Sequence, residues 1–380
     1  MKKFIKNILI VHSSNDTYGA SKILLNIIDF FISEGYKVYL FLPEKGPLNE
    51  NNIIKKCDLK ILELGVFRKR YFNFFGLFNR LYYIIRSTWI IKSFILKNKI
   101  DLVYTNTSTL ISPSIAAKLS SRPSVLHVHE IPISSKLYTK FLSYFFNIFS
   151  TKVIAVSNSV RSYWIESGLV NEKITTIYNG FNFKFKTKKK LSKSEIVFCN
   201  ISRIIPYKGH LFLIELFNEL SKHRNDLILY IIGDTLPQYE SYYSKLREKV
   251  DEYNLEKNIK FIGYKRDVIE YLEKSNFFIH CPISPDPLPT VIFEAIECNL
   301  PVICTNQGGA YEILDSGNNG LLIDSLSPIK SCDLILKYIY DKDLQQMNCN
   351  NSKSFVKKNF QISSFNNNLK KIIIDLVNKT

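Results

Sequence analysis

Short apolar runs alternate with longer amphipathic ones along this chain, and the rhythm starts twice. That alternation is the pattern of parallel α/β sheets, whose strands are covered on both faces by crossover helices. In the first half, residues 8–12 read as a strand, 21–34 as a helix closed by Gly35, and 38–42 as the next strand. Residues 102–104, 125–129 and 153–156 continue the series. An acid-free basic run over 184–193 then interrupts it and reads as a linker. Beyond it, 196–202 is a strand, 209–222 a helix, and 227–232, 259–263, 277–281 and 301–305 are strands. A chain of 380 residues exceeds the size at which one core keeps growing. The expected organisation is therefore two doubly wound domains, 1–183 and 184–355, with a C-terminal helix over 356–380 packing back on the first.

Ligands of such sheets sit beyond the carboxyl ends of the strands, where the connecting loops converge. The loops to inspect are 13–20, 129–132, 203–209, 283–290 and 307–310. In the last of the longer ones, a strand ends at Cys281, a proline-rich loop carries Asp286, and a helix is expected to start near Thr290 with Glu294 in its second turn. A helix N-terminus offers unpaired N–H groups and a positive dipole end, suited to a diphosphate. Thr290 and Val291 can supply those donors; Pro289 has no N–H. Glu294 could accept two ribose hydroxyls and Asp286 could reach the sugar beyond. Taken alone, the same acids read equally well as a dipole-complementing residue and a solvated glutamate.

A second group of residues is Ile201-Ser-Arg-Ile-Ile-Pro-Tyr-Lys-Gly, which places Arg203 and Lys208 in one strand-to-helix turn. Arginine grips phosphate oxygens with a planar fork and lysine adds a compact charge. In the first half, His127-Val-His129-Glu130 ends a strand, and alternation puts both histidines on one face. Gly19 lies between the first strand and the first helix and permits close backbone approach. That loop lacks Gly-x-Gly-x-x-Gly, which disfavours a dinucleotide cofactor. Gly263, at the end of a strand, joins the ligand-side candidates.

Together these motifs resemble the retaining glycosyltransferases of family 4. The 281–302 stretch looks like their Glu-x7-Glu motif with Asp286 in the first position, and Pro-Leu-Pro-Thr where Pro-Phe-Gly is more usual. The 201–209 stretch is similar to their Gly-Arg…Lys-Gly phosphate site, with Ser202 in place of the glycine. Across positions 5–325 the order of motifs agrees. The resemblance implies the GT-B architecture, two Rossmann-like domains facing a cleft, and transfer of a sugar from a nucleotide-sugar donor to a glycan or polyprenyl-diphosphate-linked acceptor. It implies that Glu294 binds the donor ribose, with Thr290, Val291, Gly263 and Gly19 on the donor side. It places Asp286 and His129 at the donor sugar and Arg203 and Lys208 at the diphosphate. Glu130 remains either a second acid at the site or a cap for the following segment. No cofactor and no metal are expected: the only Asp-x-Asp, Asp341-Lys-Asp343, reads as solvated surface.

Charge adds a partner. Residues 1–183 hold 24 Lys/Arg against 11 Asp/Glu, a net of +13, whereas 184–380 hold 27 against 23. Residues 66–99 contain Arg68, Lys69, Arg70, Arg80, Arg86, Lys92, Lys97 and Lys99 among ten aromatic rings and no acid; 136–152 repeats the composition. Cations attract anionic head groups while rings settle at the bilayer interface, so an anionic membrane surface is the expected partner. A nucleic-acid groove also mixes cations and rings, but no nucleic-acid motif accompanies these. No run is apolar for long enough to span a bilayer. Seven cysteines without CxxC spacing fit a reducing compartment. The expected place is the cytoplasmic face of a membrane. A sugar-nucleotide epimerase of the same architecture is the rival enzyme, but a soluble substrate needs no membrane face.

Overall fold

The computed structural model describes residues 6–16, 19–67, 73–132, 136–187 and 195–378. They form two compact units, Met1–Phe181 with Ile362–Thr380, and Asn182–Gln361.

In the first unit seven parallel strands, β1 (Asn7–Val11), β2 (Lys37–Leu42), β3 (Asp58–Ile61), β4 (Leu102–Thr105), β5 (Ser124–Val128), β6 (Lys152–Ala155) and β7 (Ile174–Thr176), lie in the order β3-β2-β1-β4-β5-β6-β7. The intervening helices are α1 (Gly19–Ser33), α2 (Phe74–Lys97), α3 (Ser112–Leu119), α4 (Lys136–Phe149) and α5 (Asn158–Glu166). Successive side chains of a strand face opposite ways, and β1 shows the result. Ile8 and Ile10 pack with Ile23, Leu24, Ile27 and Phe31 of α1, while Leu9 and Val11 pack with Ile91, Phe94 and Ile95 of α2 and Ala116 and Ala117 of α3.

The final helix, Ile362–Asn378, belongs to the first core through Phe365, Leu369, Ile373 and Leu376. Burial of side chains of this size contributes about 1.5–3 kcal/mol each as an upper estimate. Its start fits against Gly180, where a Cβ would stand 2.7 Å from the Ile362 Cα. The helix is shorter than the expected 356–380 because residues up to Asn359 complete the preceding helix.

The second unit has six parallel strands, β8 (Ile196–Ile201), β9 (Leu227–Ile232), β10 (Ile259–Gly263), β11 (Phe277–His280), β12 (Val302–Thr305) and β13 (Leu321–Ile323), in the order β10-β9-β8-β11-β12-β13. Its helices are α6 (His210–Ser221), α7 (Glu240–Glu252), α8 (Ile269–Glu273), α9 (Val291–Glu297), α10 (Gly309–Ile313), α11 (Pro328–Tyr340) and α12 (Lys342–Asn359); the final helix is thus α13. Phe198 anchors this core, with the Phe277 ring stacked at 5.0 Å and the Phe217 ring edge-on at 5.3 Å.

Both sheets share one winding, outward from a first strand and then back across it. The winding reverses between β1 and β4 and between β8 and β11, and a crevice opens at such a switch point. One expectation needs correction here. The start of the presumed linker is not free chain: Lys186 donates its N–H to the Glu297 carbonyl at 2.7 Å and pairs with Glu273 at 2.6 Å. Residues 188–194 lie outside the described chain. Asp341 and Asp343 are exposed, as expected, and Asp341 also caps α12 by accepting from the Leu344 N–H at 2.8 Å.

Candidate active site

The second unit builds its site at the β8/β11 switch point. After β8 the chain passes Arg203, which is exposed, and makes a short 3-10 turn over Pro206–Lys208. The helix expected to open at Lys208-Gly209 begins one residue later, because Gly209 takes a left-handed φ of +75° between turn and helix. A Cβ there would lie 1.8 Å from the Cys281 carbonyl oxygen, so only glycine lets this turn rest on the loop after β11. The Ile283 N–H closes the contact by donating to the Tyr207 carbonyl at 3.1 Å.

Joining the two loops brings Lys208 to Asp286. The ammonium donates to the carboxylate, and His280 donates from Nε2 to the same oxygen at 3.1 Å. The Asp286 side chain is 12% exposed and that of Lys208 23%. Burial alone would raise the Asp286 pKa, but the Lys208 charge and the His280 hydrogen bond outweigh it and hold the group below the usual carboxylate range. Burial lowers the His280 pKa against the pull of Asp286, so the ring is a neutral donor. A third segment supports the loop from beneath. The Gly309 N–H donates to the Asp286 carbonyl at 2.7 Å, and at Gly308, with φ +65°, a Cβ would be 2.4 Å from that oxygen.

Thr290 stands at the open end of α9, with Val291 its first residue. The N–H groups of Ile292 and Phe293 already donate to the Pro289 and Thr290 carbonyls, which leaves the two preceding amides at the helix mouth. Glu294 sits in the first turn of this seven-residue helix, not the second, because the helix begins at Val291. Gly263 ends the edge strand β10, with β9 between it and β8. Its carbonyl accepts from Gly233, whose own missing Cβ would meet the Ser202 oxygen at 1.9 Å. Sequence reasoning missed His280, and it flagged the 307–310 loop without giving Gly308 and Gly309 a role. The available signals were a histidine closing an apolar strand and a Gly-Gly pair just beyond another.

In the first unit the β1/β4 switch point gathers His12, Asn106 and His129. His129 Nε2 lies 2.8 Å from Asn106 Oδ1, and His12 Nδ1 lies 3.1 Å from the Asn106 carbonyl. The His127 and His129 rings are 4.2 Å apart, which confirms the shared face. Burial takes the His127 pKa down to about 3 and, with His127 and His12 nearby, holds that of His129 well below the ordinary range. Among the described residues Glu130 caps no following segment. It turns back to accept from the Thr107 hydroxyl at 2.7 Å, the Ser108 hydroxyl at 2.9 Å and the His129 N–H at 3.1 Å, and so braces the 107–108 turn. Gly19 is the first residue of α1, and nothing lies within 4 Å of where its Cβ would be. Thr17 and Tyr18 are outside the described residues.

The basic aromatic segment becomes α2, capped by Asn73; its residues 68–72 lie outside the described chain. Phe74, Phe78, Leu81, Ile85, Trp89 and Leu96 are exposed and recur at helical spacing on the side away from the core, with Phe78 61% and Trp89 56% accessible. On α4, Leu137, Phe141, Tyr144 and Ile148 form a second exposed row. Lys92 stacks on Trp89 at 4.8 Å and Arg80 on Tyr83 at 5.3 Å. No helix among the described residues is long and apolar enough to cross a membrane.

Two parallel, doubly wound units in one chain, each with polar residues at the carboxyl ends of its strands, are the GT-B architecture. The family described as Glycosyltransferase Family 4 matches residues 17–185, and that described as Glycosyl transferases group 1 matches 182–355. The chain belongs to the family 4 glycosyltransferases and is a glycosyltransferase. It is 27% identical to the uncharacterized glycosyltransferase MJ1069 of Methanocaldococcus jannaschii over 91% of each chain. It is also 27% identical to the UDP-Gal:alpha-D-GlcNAc-diphosphoundecaprenol alpha-1,3-galactosyltransferase of Escherichia coli, over 74% of this chain and 77% of that one. Among solved structures, Anabaena HepE in complex with UDP superposes with a TM-score of 0.81 at 22% identity, covering 97% of this chain and 99% of that one.

Proposed function

We propose that this glycosyltransferase is a retaining, metal-independent enzyme that moves a sugar from a UDP-sugar to a polyprenyl-diphosphate-linked glycan at the cytoplasmic face of a membrane, in surface polysaccharide synthesis. The observation that carries the reading is the Lys208–Asp286–His280 cluster at the β8/β11 switch point. A cation held there by a buried carboxylate is positioned before the donor arrives, so it can meet the charge that develops on a departing diphosphate without reorganising. Arg203, in the same turn, adds a second cation. Asp286 remains a carboxylate that can accept from a sugar hydroxyl. The acceptor hydroxyl attacks the face from which the diphosphate leaves and passes its proton to the leaving phosphate, so no protein nucleophile takes part. The UDP donor and the lipid-linked acceptor are supported by what HepE binds and by the E. coli relative. The bare aromatic rows and the cations of α2 and α4 support the membrane.

Two results are expected. UDP at about 100 times its dissociation constant stabilises the protein by about 2.7 kcal/mol, read as a rise in thermal midpoint that GDP does not match. Glu294→Ala removes most of that rise without lowering the midpoint of the free protein; an undiminished UDP shift would take Glu294 out of the site. Activity persists in EDTA, and NMR of the product shows the donor's anomeric configuration. Loss of activity in chelator, restored by magnesium or manganese, would overturn the metal-free scheme.

A further inference from the structure

We propose that Asn106 is a positioning residue that holds His129 in the Nε2–H tautomer, so that the ring offers an unprotonated Nδ1 to a hydroxyl of the sugar substrate. This rests on the reading of His129 as a sugar contact.

The hydrogen bonds around Asn106 decide the assignment. Its Nδ2 stands 3.1 Å from the Ala20 carbonyl, which can only accept, so the nitrogen of the amide must face that way. Oδ1 is then the atom 2.8 Å from His129 Nε2, and an amide oxygen requires a proton on its partner. Asn106 is itself buried and held at both ends. Its N–H donates to the Val11 carbonyl at 2.9 Å, and His12 Nδ1 lies 3.1 Å from its carbonyl oxygen. Turning the side-chain amide over would set Oδ1 against the Ala20 carbonyl, so the Nδ2 contact with that oxygen keeps Oδ1 toward His129.

The remaining neighbours keep the ring neutral and in place. The His127 ring lies against it, tilted by 41° with the centroids 4.2 Å apart, and the Tyr104 hydroxyl is 2.9 Å from the His127 Nδ1. His127 and His12 both disfavour a second proton on His129. Glu130, the neighbouring acid, reaches the His129 backbone N–H and the Thr107 and Ser108 hydroxyls. Nδ1 of His129 has no hydrogen-bond partner among the described residues and is not among the buried unsatisfied atoms. A neutral ring whose one N–H is already engaged can accept from a hydroxyl but cannot donate to a phosphate. The chemistry at this position thus selects an O–H group.

The test uses the full chain labelled with 15N-histidine, without substrate. Long-range proton–nitrogen correlation, with His129 assigned by loss of its signals in His129→Gln, reads the tautomer directly. The expected result is a single neutral form protonated on Nε2, retained well below pH 6.5. In Asn106→Leu the signals move to a mixture of tautomers, while Asn106→Asp, which keeps an oxygen acceptor, restores Nε2–H. A wild-type proton on Nδ1, or an unchanged tautomer in Asn106→Leu, would overturn the proposal. Turnover with a UDP-sugar should fall at least about tenfold in Asn106→Leu and recover partly in Asn106→Asp. A shifted tautomer with unaltered turnover would refute the sugar contact alone, whereas absence of all activity in the wild type would refute the donor reading and leave the tautomer result standing.

Discussion

Replacing Lys208 with alanine lowers turnover by about 10²–10³-fold, the usual consequence of removing one preorganised group that meets developing negative charge. The apparent donor constant changes much less, because the lysine contributes most when the diphosphate carries its full leaving-group charge. The geometry explains why a second lysine nearby could not substitute. Gly209 seats the turn on the Cys281 carbonyl, and Asp286 holds the ammonium from below. Steady-state kinetics below the thermal midpoint of the variant, where it is fully folded, decide the matter. A defect in the donor constant alone would make Lys208 a ground-state anchor. Lys208 also stabilises the fold in one pH direction. The Asp286 pKa is depressed by its partners, so the pair's contribution is present above the unfolded carboxyl pKa near 3.9 and fades as pH falls through the lower folded value. The Lys208→Ala protein should lose less stability than the parent on going below about pH 4. Equal acid sensitivity would mean that the pair does not couple to folding.

The second large effect concerns the exposed rows of α2 and α4. Each cation close to an anionic bilayer contributes about 1 kcal/mol. Changing Arg80, Lys97, Lys136 and Lys140 to glutamine should therefore cost about 4 kcal/mol, roughly 10³-fold in vesicle partitioning at low salt. Arg86 is left out because it already pairs with Glu63 at 3.3 Å. Co-sedimentation with acidic vesicles should also weaken with salt, as the screening length shrinks from about 10 Å at 0.1 M to about 3 Å at 1 M. Phe78→Ser with Trp89→Ser should weaken binding even when charge is intact, since both rings are more than half exposed and gain only on entering an apolar phase. If the glutamine variant pellets as the parent does, or the parent ignores acidic vesicles, the exposed rows serve another contact and the acceptor arrives from solution.

The central strands were legible from composition because they are buried on both faces, which demands unbroken apolar runs such as Ile8–Val11 and Val38–Leu42. Strands β3, β7 and β13 escaped the reading. All three lie at sheet edges with one neighbour each; in β3 and β7 partial exposure suffices and Asp58, Lys60, Thr175 and Thr176 intrude, while β13 is only three residues long. The helix limits were misjudged by a residue or two at Gly209 and Val291, where a left-handed glycine and a proline-rich loop set the first turn.

Sequence by itself determined the parallel α/β class, the two-sheet organisation and the loops at which polar residues collect, since strand burial and helix periodicity are local demands on neighbouring residues. Only the tertiary structure decided which of those residues meet. Lys208 and Asp286 are 78 positions apart, and their contact depends on the β8/β11 adjacency and on a glycine with no Cβ to block it. Asn106 and His129 meet because β4 pairs with β5. The last helix joins the first core because Gly180 leaves room for Ile362. A hydrogen bond acts over about 3 Å, and no pattern along the chain records a distance that the packing of two distant loops creates.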